Sequence, residues 1–299
     1  MPLNEFGLIE AIKKYQHLSS RVVKGIGDDA AVLELDAKRY QLLTTDMLVE
    51  GVHFLRTAPA KLVGYKALAC NISDIAAMGG VPTFAVVSIG LPLKTSKAYV
   101  KDLYTGMSAL AKKFGVSIVG GDTVKADKVV INIALLGEVE KKNLVLRSGA
   151  RPGDIIFVSG SLGNTLKSGK HLKFVPRVKE ARFLVENFRL TSMMDISDGL
   201  AGDLGHILKA SAVGAILDAS MIPRNPGASV EPALCGGEDF ELLVTLSFTQ
   251  AKKLIEYQAR NEAFRFYPVG EVTAAVNKLQ LRDDRGKLRS LSARAYTHF

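Results

Sequence analysis

The spacing of apolar residues changes repeatedly along the chain, and each spacing predicts a different element. Over residues 4–18 the apolar side chains Phe6, Ile9 and Ile12 recur at the spacing of one helix face. Short, continuous apolar runs follow and predict strands, whereas the longer segment 62–79 predicts a helix that ends at a glycine pair. Strand-like and helical segments keep alternating without an internal repeat. We therefore predict an α+β fold with mixed strand order.

A polar segment near the middle of the chain interrupts this alternation. It contains Pro152 and Gly153, which favour turns, and an apolar strand-like run begins directly after it. The chain of 299 residues is long enough for roughly two domains. We predict an N-terminal domain over residues 1–139, a linker over 140–153 and a C-terminal domain over 154–299.

Basic residues outnumber acidic ones by 39 to 30, which gives the chain a net charge of +9. Such an excess suits either a nucleic-acid partner or small anionic substrates. The lysines and arginines occur as scattered pairs, however, and form neither a long basic block nor a repeat with aromatic residues. We therefore expect no nucleic-acid partner.

Hydropathy and cysteine content exclude several other classes of protein. No apolar run approaches the ~20 residues that cross a bilayer, and the first residues lack the pattern of a signal peptide. We expect a cytoplasmic protein with no membrane partner. Cys70 and Cys235 have neither CxxC nor Cys/His metal spacing, so we expect two small buried side chains rather than a disulfide or zinc site.

Aspartates recur at the ends of apolar strands and in glycine turns. Side chains at such positions can converge from different elements, and adjacent carboxylates repel one another unless a cation or hydrogen-bond donors meet them. Oxygen ligands of this kind suit magnesium, which is usually bound together with substrate phosphates. The pattern predicts a hard-cation site, with candidates at Asp28, Asp29, Asp46, Asp74, Asp122, Asp195 and Asp198.

Taken singly, several of these aspartates have a simpler structural explanation. Asp28 or Asp29 could be a turn residue, Asp198 could cap the following helix, and Asp46 could merely end a strand. No GxxxxGK[ST] or GxGxxG motif follows a strand, so any nucleotide is bound without a P-loop.

Taken together, six ordered segments between residues 25 and 243 resemble the thiamine-monophosphate kinase family. These segments are GIGDDAAV, TTDMLVEGVHF, YKALACNISDIAAMGGVP, IVGGDT, DISDGLAGDLGHI and CGGEDFELL. The family belongs to the superfamily of aminoimidazole ribonucleotide synthetase and selenophosphate synthetase. The resemblance implies an N-terminal mixed-sheet α/β domain that forms a homodimer through its sheet, together with a C-terminal α/β domain.

The resemblance also implies an activity and a set of site residues. The activity is ATP-dependent phosphorylation of thiamine monophosphate to thiamine diphosphate, by direct in-line transfer with several Mg²⁺ ions and no covalent nucleophile. The implied metal ligands are Asp29, Thr44, Thr45, Asp46, Asp74, Asp122, Asp195 and Asp198. The implied ATP-binding residues are Tyr104, Gly121, Asp122, Arg147 and Ser197. His53, Glu238 and Tyr296 would bind thiamine monophosphate.

The chain also departs from the family pattern. The segment 164–194 is shorter than we expect, and Cys235 stands where a serine is expected before GGED. Both departures concern the thiamine side of the predicted pocket more than the ATP side. They leave two alternatives open: an enzyme of the same superfamily with a different acceptor, or a non-catalytic nucleotide-binding regulator.

Overall fold

The N-terminal half is built on one mixed sheet. The structure is a computed structural model that describes residues 5–291. Its elements here are α1 (Glu5–Lys13), β1 (Val22–Lys24), β2 (Ala31–Glu34), β3 (Arg39–Val49), α2 (Ala60–Ala77), β4 (Val81–Leu91), α3 (Lys97–Phe114), β5 (Ser117–Lys125) and β6 (Val130–Glu140). The strand order is β1-β2-β3-β6-β4-β5, and β4 and β5 form the parallel pair. A single 3-10 turn, Lys141–Asn143, follows the sheet.

The C-terminal half is built on a second mixed sheet. Its elements are β7 (Ile155–Val158), α4 (Thr165–Ser168), α5 (Val178–Asn187), β8 (Leu190–Asp195), α6 (Leu200–Ser211), β9 (Gly214–Asp218), α7 (Val230–Cys235), β10 (Leu242–Leu246), α8 (Phe248–Arg260), β11 (Tyr267–Thr273), β12 (Leu279–Arg282) and β13 (Leu288–Ser290), with a 3-10 turn at Lys170–Leu172. The strand order is β13-β12-β9-β11-β7-β10-β8, with β9 and β12 parallel. The predicted α+β class with mixed sheets is confirmed.

Apolar packing joins the two halves. One large buried cluster contains Ile133 of β6 and Ile72 of α2, and it continues through Phe157 of β7 to Val244 of β10. A second cluster fills the space between α6 and the C-terminal sheet. The first cluster contains residues from both halves, so it does not separate two independent cores. The division into domains at residues 1–139 and 154–299, with a linker at 140–153, remains a prediction. In the range 5–291 no helix is both long and apolar enough to cross a membrane.

The N-terminal sheet has one covered face and one open face. Helix α2 packs against β3, β4 and β6, and α3 lies against α2 at very short range: a Cβ on Gly106 would lie 1.8 Å from the Lys61 carbonyl oxygen. Successive side chains of a strand point to opposite faces, so Thr44 of β3 is buried under the helices and Thr45 is exposed on the open face. This alternation decides which predicted site residues can meet.

Candidate functional site

Three aspartates from three separate elements meet where the two halves join. Asp29 precedes β2, Asp74 lies in the last turns of α2, and Asp195 ends β8. One carboxylate oxygen from each lies within 4.8 Å of the others. We call these three residues the carboxylate cluster. The cluster needs both halves of the chain, because Asp195 belongs to the second sheet.

The glycine turn that contains Asp28 and Asp29 directs these side chains inward. Gly27 has a φ of +121°, which favours glycine over residues with a side chain. The Asp28 carboxylate accepts a hydrogen bond from the Arg147 backbone N–H at 3.1 Å and thereby supports the turn. Asp29 Oδ1 accepts from Nε and Nη2 of Arg147 at 3.2 and 2.6 Å. Asp29 Oδ2 is buried and has no hydrogen-bond partner among residues 5–291.

Two hydroxyl groups orient the other two members of the cluster. The Thr44 hydroxyl donates to Asp74 Oδ2 at 2.5 Å, and the Ser73 hydroxyl donates to Asp195 Oδ2 at 2.5 Å. Ser73 is buried within α2. Hydroxyl groups that bond ligating carboxylates in this way fix their orientation and strengthen metal binding.

The cluster carries more negative charge than its surroundings compensate. Burial, followed by repulsion from Asp29, raises the pKa of Asp195 to about 8. Burial and the nearby Asp198 raise the pKa of Asp46 to about 6, and burial with repulsion from Asp46 raises the pKa of Asp74 well above its ordinary value. Burial lowers the pKa of Arg147, but the nearby carboxylates, above all Asp29, together outweigh burial and leave that pKa above its ordinary value. One arginine cannot neutralise this group of carboxylates.

The donors present fit magnesium. All are oxygen atoms, which this hard cation prefers over nitrogen or sulfur. The buried Asp29 Oδ2 lacks a hydrogen bond, and buried carboxylate oxygens are normally paired or bound to a metal ion. A divalent cation at the carboxylate cluster would satisfy that oxygen and offset both the burial and the repulsion that raise the pKa values.

A cavity of about 310 Å³ borders Asp74 of the cluster. It brings together residues that the sequence assigns to three different roles, metal, ATP and acceptor. These residues are Asp46, Asp74, Asp198, Ser197, His53 and Glu238. His53 lies in the turn after β3, where its Nδ1 accepts a hydrogen bond from the Val49 backbone N–H at 3.0 Å.

Comparison with known proteins identifies the family. Residues 27–139 match the model of the AIR synthase related protein N-terminal domain, and residues 151–281 match the model of its C-terminal domain. Thiamine-monophosphate kinase of Bacillus subtilis is 36% identical over 99% of this chain and 100% of its own length. The chain belongs to the thiamine-monophosphate kinase family. The resemblance inferred from the six segments is confirmed.

Two further comparisons extend this result. Thiamine-monophosphate kinase of Aquifex aeolicus is 38% identical over 81% of this chain and 86% of its own length. The structure of AaThiL complexed with AMPPCP and TMP superposes with a TM-score of 0.84 and 33% identity, over 100% of this chain and 99% of that one. The thiamine-monophosphate kinase family fold therefore extends over both sheets.

Other residues implied by membership of the thiamine-monophosphate kinase family lie away from the cavity. Thr45 and Asp122 are on the open face of the first sheet, where the Thr45 hydroxyl donates to Asn132 Oδ1 at 3.2 Å. Gly121 of β5 has a φ of +155°, and a Cβ there would lie 1.9 Å from the Val87 carbonyl oxygen. Tyr104 is half-buried on α3. The roles of Thr45, Gly121, Asp122 and Tyr104 stay predictions, and Tyr296 lies outside the described residues.

Several polar residues of the site had no role in the sequence analysis. Lys66 is buried between the His53 carbonyl oxygen and the Glu238 carboxylate. Asp203 accepts from the backbone N–H groups of Asp198 and Gly199 at 3.0 and 3.1 Å, so Asp203 satisfies the start of α6 and Asp198 does not cap it. The sequence does contain an indication of this role, because Asp203 lies in the first turn of α6, where acidic residues are favoured.

The carboxylate cluster predicts that stability depends on pH and magnesium together. Because the pKa of Asp195 is raised in the folded protein, the folded state holds its proton between pH 4 and about 8, so stability falls as pH rises through that window. Without divalent ions, we expect the ionisation of Asp195 to lower the free energy of unfolding by about 2 kcal/mol as the pH rises from 6 to 8. Mg²⁺ should raise the unfolding midpoint more at pH 8 than at pH 6.

Thermal unfolding with EDTA or MgCl₂ at both pH values measures these effects, with Asp195→Asn as the matched variant. That variant should be less sensitive to pH without metal and should lose most of the Mg²⁺ shift. A wild-type Mg²⁺ shift that is equal at pH 6 and 8, or an unchanged shift in Asp195→Asn, would contradict the assignment.

Proposed function

We propose that this chain transfers the γ-phosphoryl group of ATP to the phosphate of thiamine monophosphate and produces thiamine diphosphate. The observation that carries the proposal is the carboxylate cluster beside a cavity that His53 and Glu238 also line. The names of the curated relatives, and the ATP analogue and TMP in the AaThiL structure, support the same reaction.

We propose Asp29, Asp74 and Asp195 as the central magnesium ligands, with Asp46 and Asp198 completing the set at the cavity wall. When bound, Mg²⁺ would offset the negative charge of the phosphate groups. Thr44 would act through Asp74, because its hydroxyl already donates to that carboxylate. Ser73 would act on Asp195 in the same way.

The residues around the cavity would position two anionic substrates. Phosphoryl transfer has a loose transition state, so it depends on alignment and charge stabilisation more than on a nucleophilic side chain. The acceptor phosphate is anionic at neutral pH and needs no strong general base. Arg147 would offer its guanidinium to ATP phosphate oxygens, and Ser197 would donate a hydrogen bond to ATP. His53 and Glu238 would hold the acceptor. Because no nucleophilic side chain is needed, transfer would proceed directly, without a phosphoenzyme.

The open face of the first sheet would pair with a second copy of the chain. It exposes large apolar side chains on β3 and β4, which flank β6, including Met47, Phe84 and Val86 at 55, 48 and 41% exposure. Contiguous apolar patches of this kind usually mark a protein interface. A homodimer would cover this face, together with Thr45 and Asp122.

The kinase assay is the direct test of the proposed function. Purified protein with ATP, MgCl₂ and thiamine monophosphate should form thiamine diphosphate, detected by chromatography, and EDTA should abolish product. Asp46→Asn should lower kcat by roughly a hundredfold or more, because the cavity loses a charged oxygen ligand, while ATP binding survives in part. Asp127→Asn, an exposed aspartate in the turn before β6, should retain wild-type kcat.

Two results of that assay would count against the proposal. One is ATP binding without any thiamine diphosphate, which would redirect the search to other acceptors. The other is an Asp46→Asn variant as active as Asp127→Asn.

The dimer is tested by the mass of the protein in solution. Light scattering after size exclusion should give twice the chain mass of 32.2 kDa. Phe84→Glu should yield the single-chain mass, because dimerisation would then bury a carboxylate that has no opposite charge to pair with. Phe248→Glu, which changes an exposed phenylalanine of α8, should leave the dimer intact. A monomeric wild-type protein would exclude the interface.

A further inference from the structure

The side chain of Lys66 is 1% exposed, and its ammonium group connects the two halves of the chain at the cavity. Nζ donates to the His53 carbonyl oxygen at 2.8 Å and to Glu238 Oε2 at 2.5 Å. Lysine is almost never this deeply buried unless it is paired. Its two partners are the backbone carbonyl of His53 and the side chain of Glu238, the residues that we propose to hold the acceptor.

The backbone around Glu238 is held in a conformation that non-glycine residues rarely adopt. Glu238 has a φ of +57° and Phe240 a φ of +51°, and such conformations persist only where surrounding contacts impose them. Glu238 N–H donates to the Ser197 carbonyl oxygen at 2.6 Å, and the Phe240 ring stacks on Phe174 with centroids 3.9 Å apart. These contacts come from the C-terminal half.

Lys66 supplies a contact to this loop from the N-terminal half. Glu238 keeps 23% of its side chain exposed, so its carboxylate still reaches the cavity while Oε2 is fixed by the ammonium group. The same ammonium group fixes the turn that carries His53. One cation therefore sets the distance between the two walls at this end of the cavity.

We propose that Lys66 is the positioning residue of the acceptor site: it holds Glu238 and His53 in the arrangement that binds thiamine monophosphate. A fixed carboxylate suits this ligand, because its thiazolium ring carries a positive charge. The identity of the ligand rests on the proposed function, whereas the coupling between Lys66 and the loop 236–240 does not.

Steady-state kinetics separate positioning from a general loss of structure. Lys66→Met keeps an apolar stem and removes the ammonium group, and Lys61→Met makes the same change at an exposed position of α2. Lys66→Met should raise KM for thiamine monophosphate about tenfold or more, the effect typical of lost supporting contacts, with KM for ATP nearly unchanged. Lys61→Met should behave as wild type.

Glu238→Gln provides a second, independent variant at a partly exposed position, which remains informative if Lys66→Met does not fold. It should also raise KM for thiamine monophosphate selectively. The loss in the double variant should be smaller than the product of the two single losses, since both changes affect the Lys66–Glu238 contact. Equal losses for ATP and thiamine monophosphate, independent effects in the double variant, or wild-type KM in Glu238→Gln would overturn the inference.

Hydrogen exchange tests the coupling even if thiamine monophosphate is not the substrate. Amides of the loop 236–240 should exchange faster in Lys66→Met than in wild type and Lys61→Met, because the loop loses its contact with α2. A wild-type enzyme that makes no thiamine diphosphate would refute the proposed function alone. Unchanged exchange in the loop would refute the role of Lys66.

Discussion

Mutual repulsion among the carboxylates of Asp29, Asp74 and Asp195 is the constraint on which the rest of the site depends. Their oxygen atoms converge within 4.8 Å in a place that water reaches poorly. Such an arrangement is unfavourable by itself, and Arg147 with two hydroxyl groups compensates it only in part. A glycine turn, a helix end and a strand end place the carboxylates together. The cation that we propose at this position would offset their repulsion.

The same arrangement explains why the site lies at the junction of the two halves. The N-terminal half contributes Asp29 and Asp74, and the C-terminal half contributes Asp195. The cavity beside them is lined by Asp74 and also by His53 and Glu238, the two residues that we propose to hold the acceptor. The proposed reaction between two anions would need these residues at a fixed separation, and the apolar cluster shared by the two halves would hold them there.

Local sequence patterns singled out Asp29, Asp74 and Asp195, which the structure brings together, and their role as metal ligands stays a prediction. A glycine turn marks Asp29 and a strand end marks Asp195, and short-range periodicity gave the α+β class. Asp46 was expected at the end of a strand but lies inside β3, which continues to Val49. Lys66 illustrates what local patterns miss: its partner Glu238 is 172 residues away in the chain, and nothing near Lys66 indicates that contact. Thr44 contacts Asp74 of the carboxylate cluster, whereas Thr45 is exposed on the open face, because neighbouring residues of a strand face opposite sides of the sheet.

The most direct measurement of the central claim is anomalous diffraction from crystals soaked with MnCl₂ and a non-hydrolysable ATP analogue. Manganese replaces magnesium at oxygen-rich sites and is located without ambiguity by its anomalous signal. We predict a manganese peak bounded by carboxylate oxygens of Asp29, Asp74 and Asp195. Manganese bound only at other carboxylates, with these three aspartates remote from any ion, would contradict it.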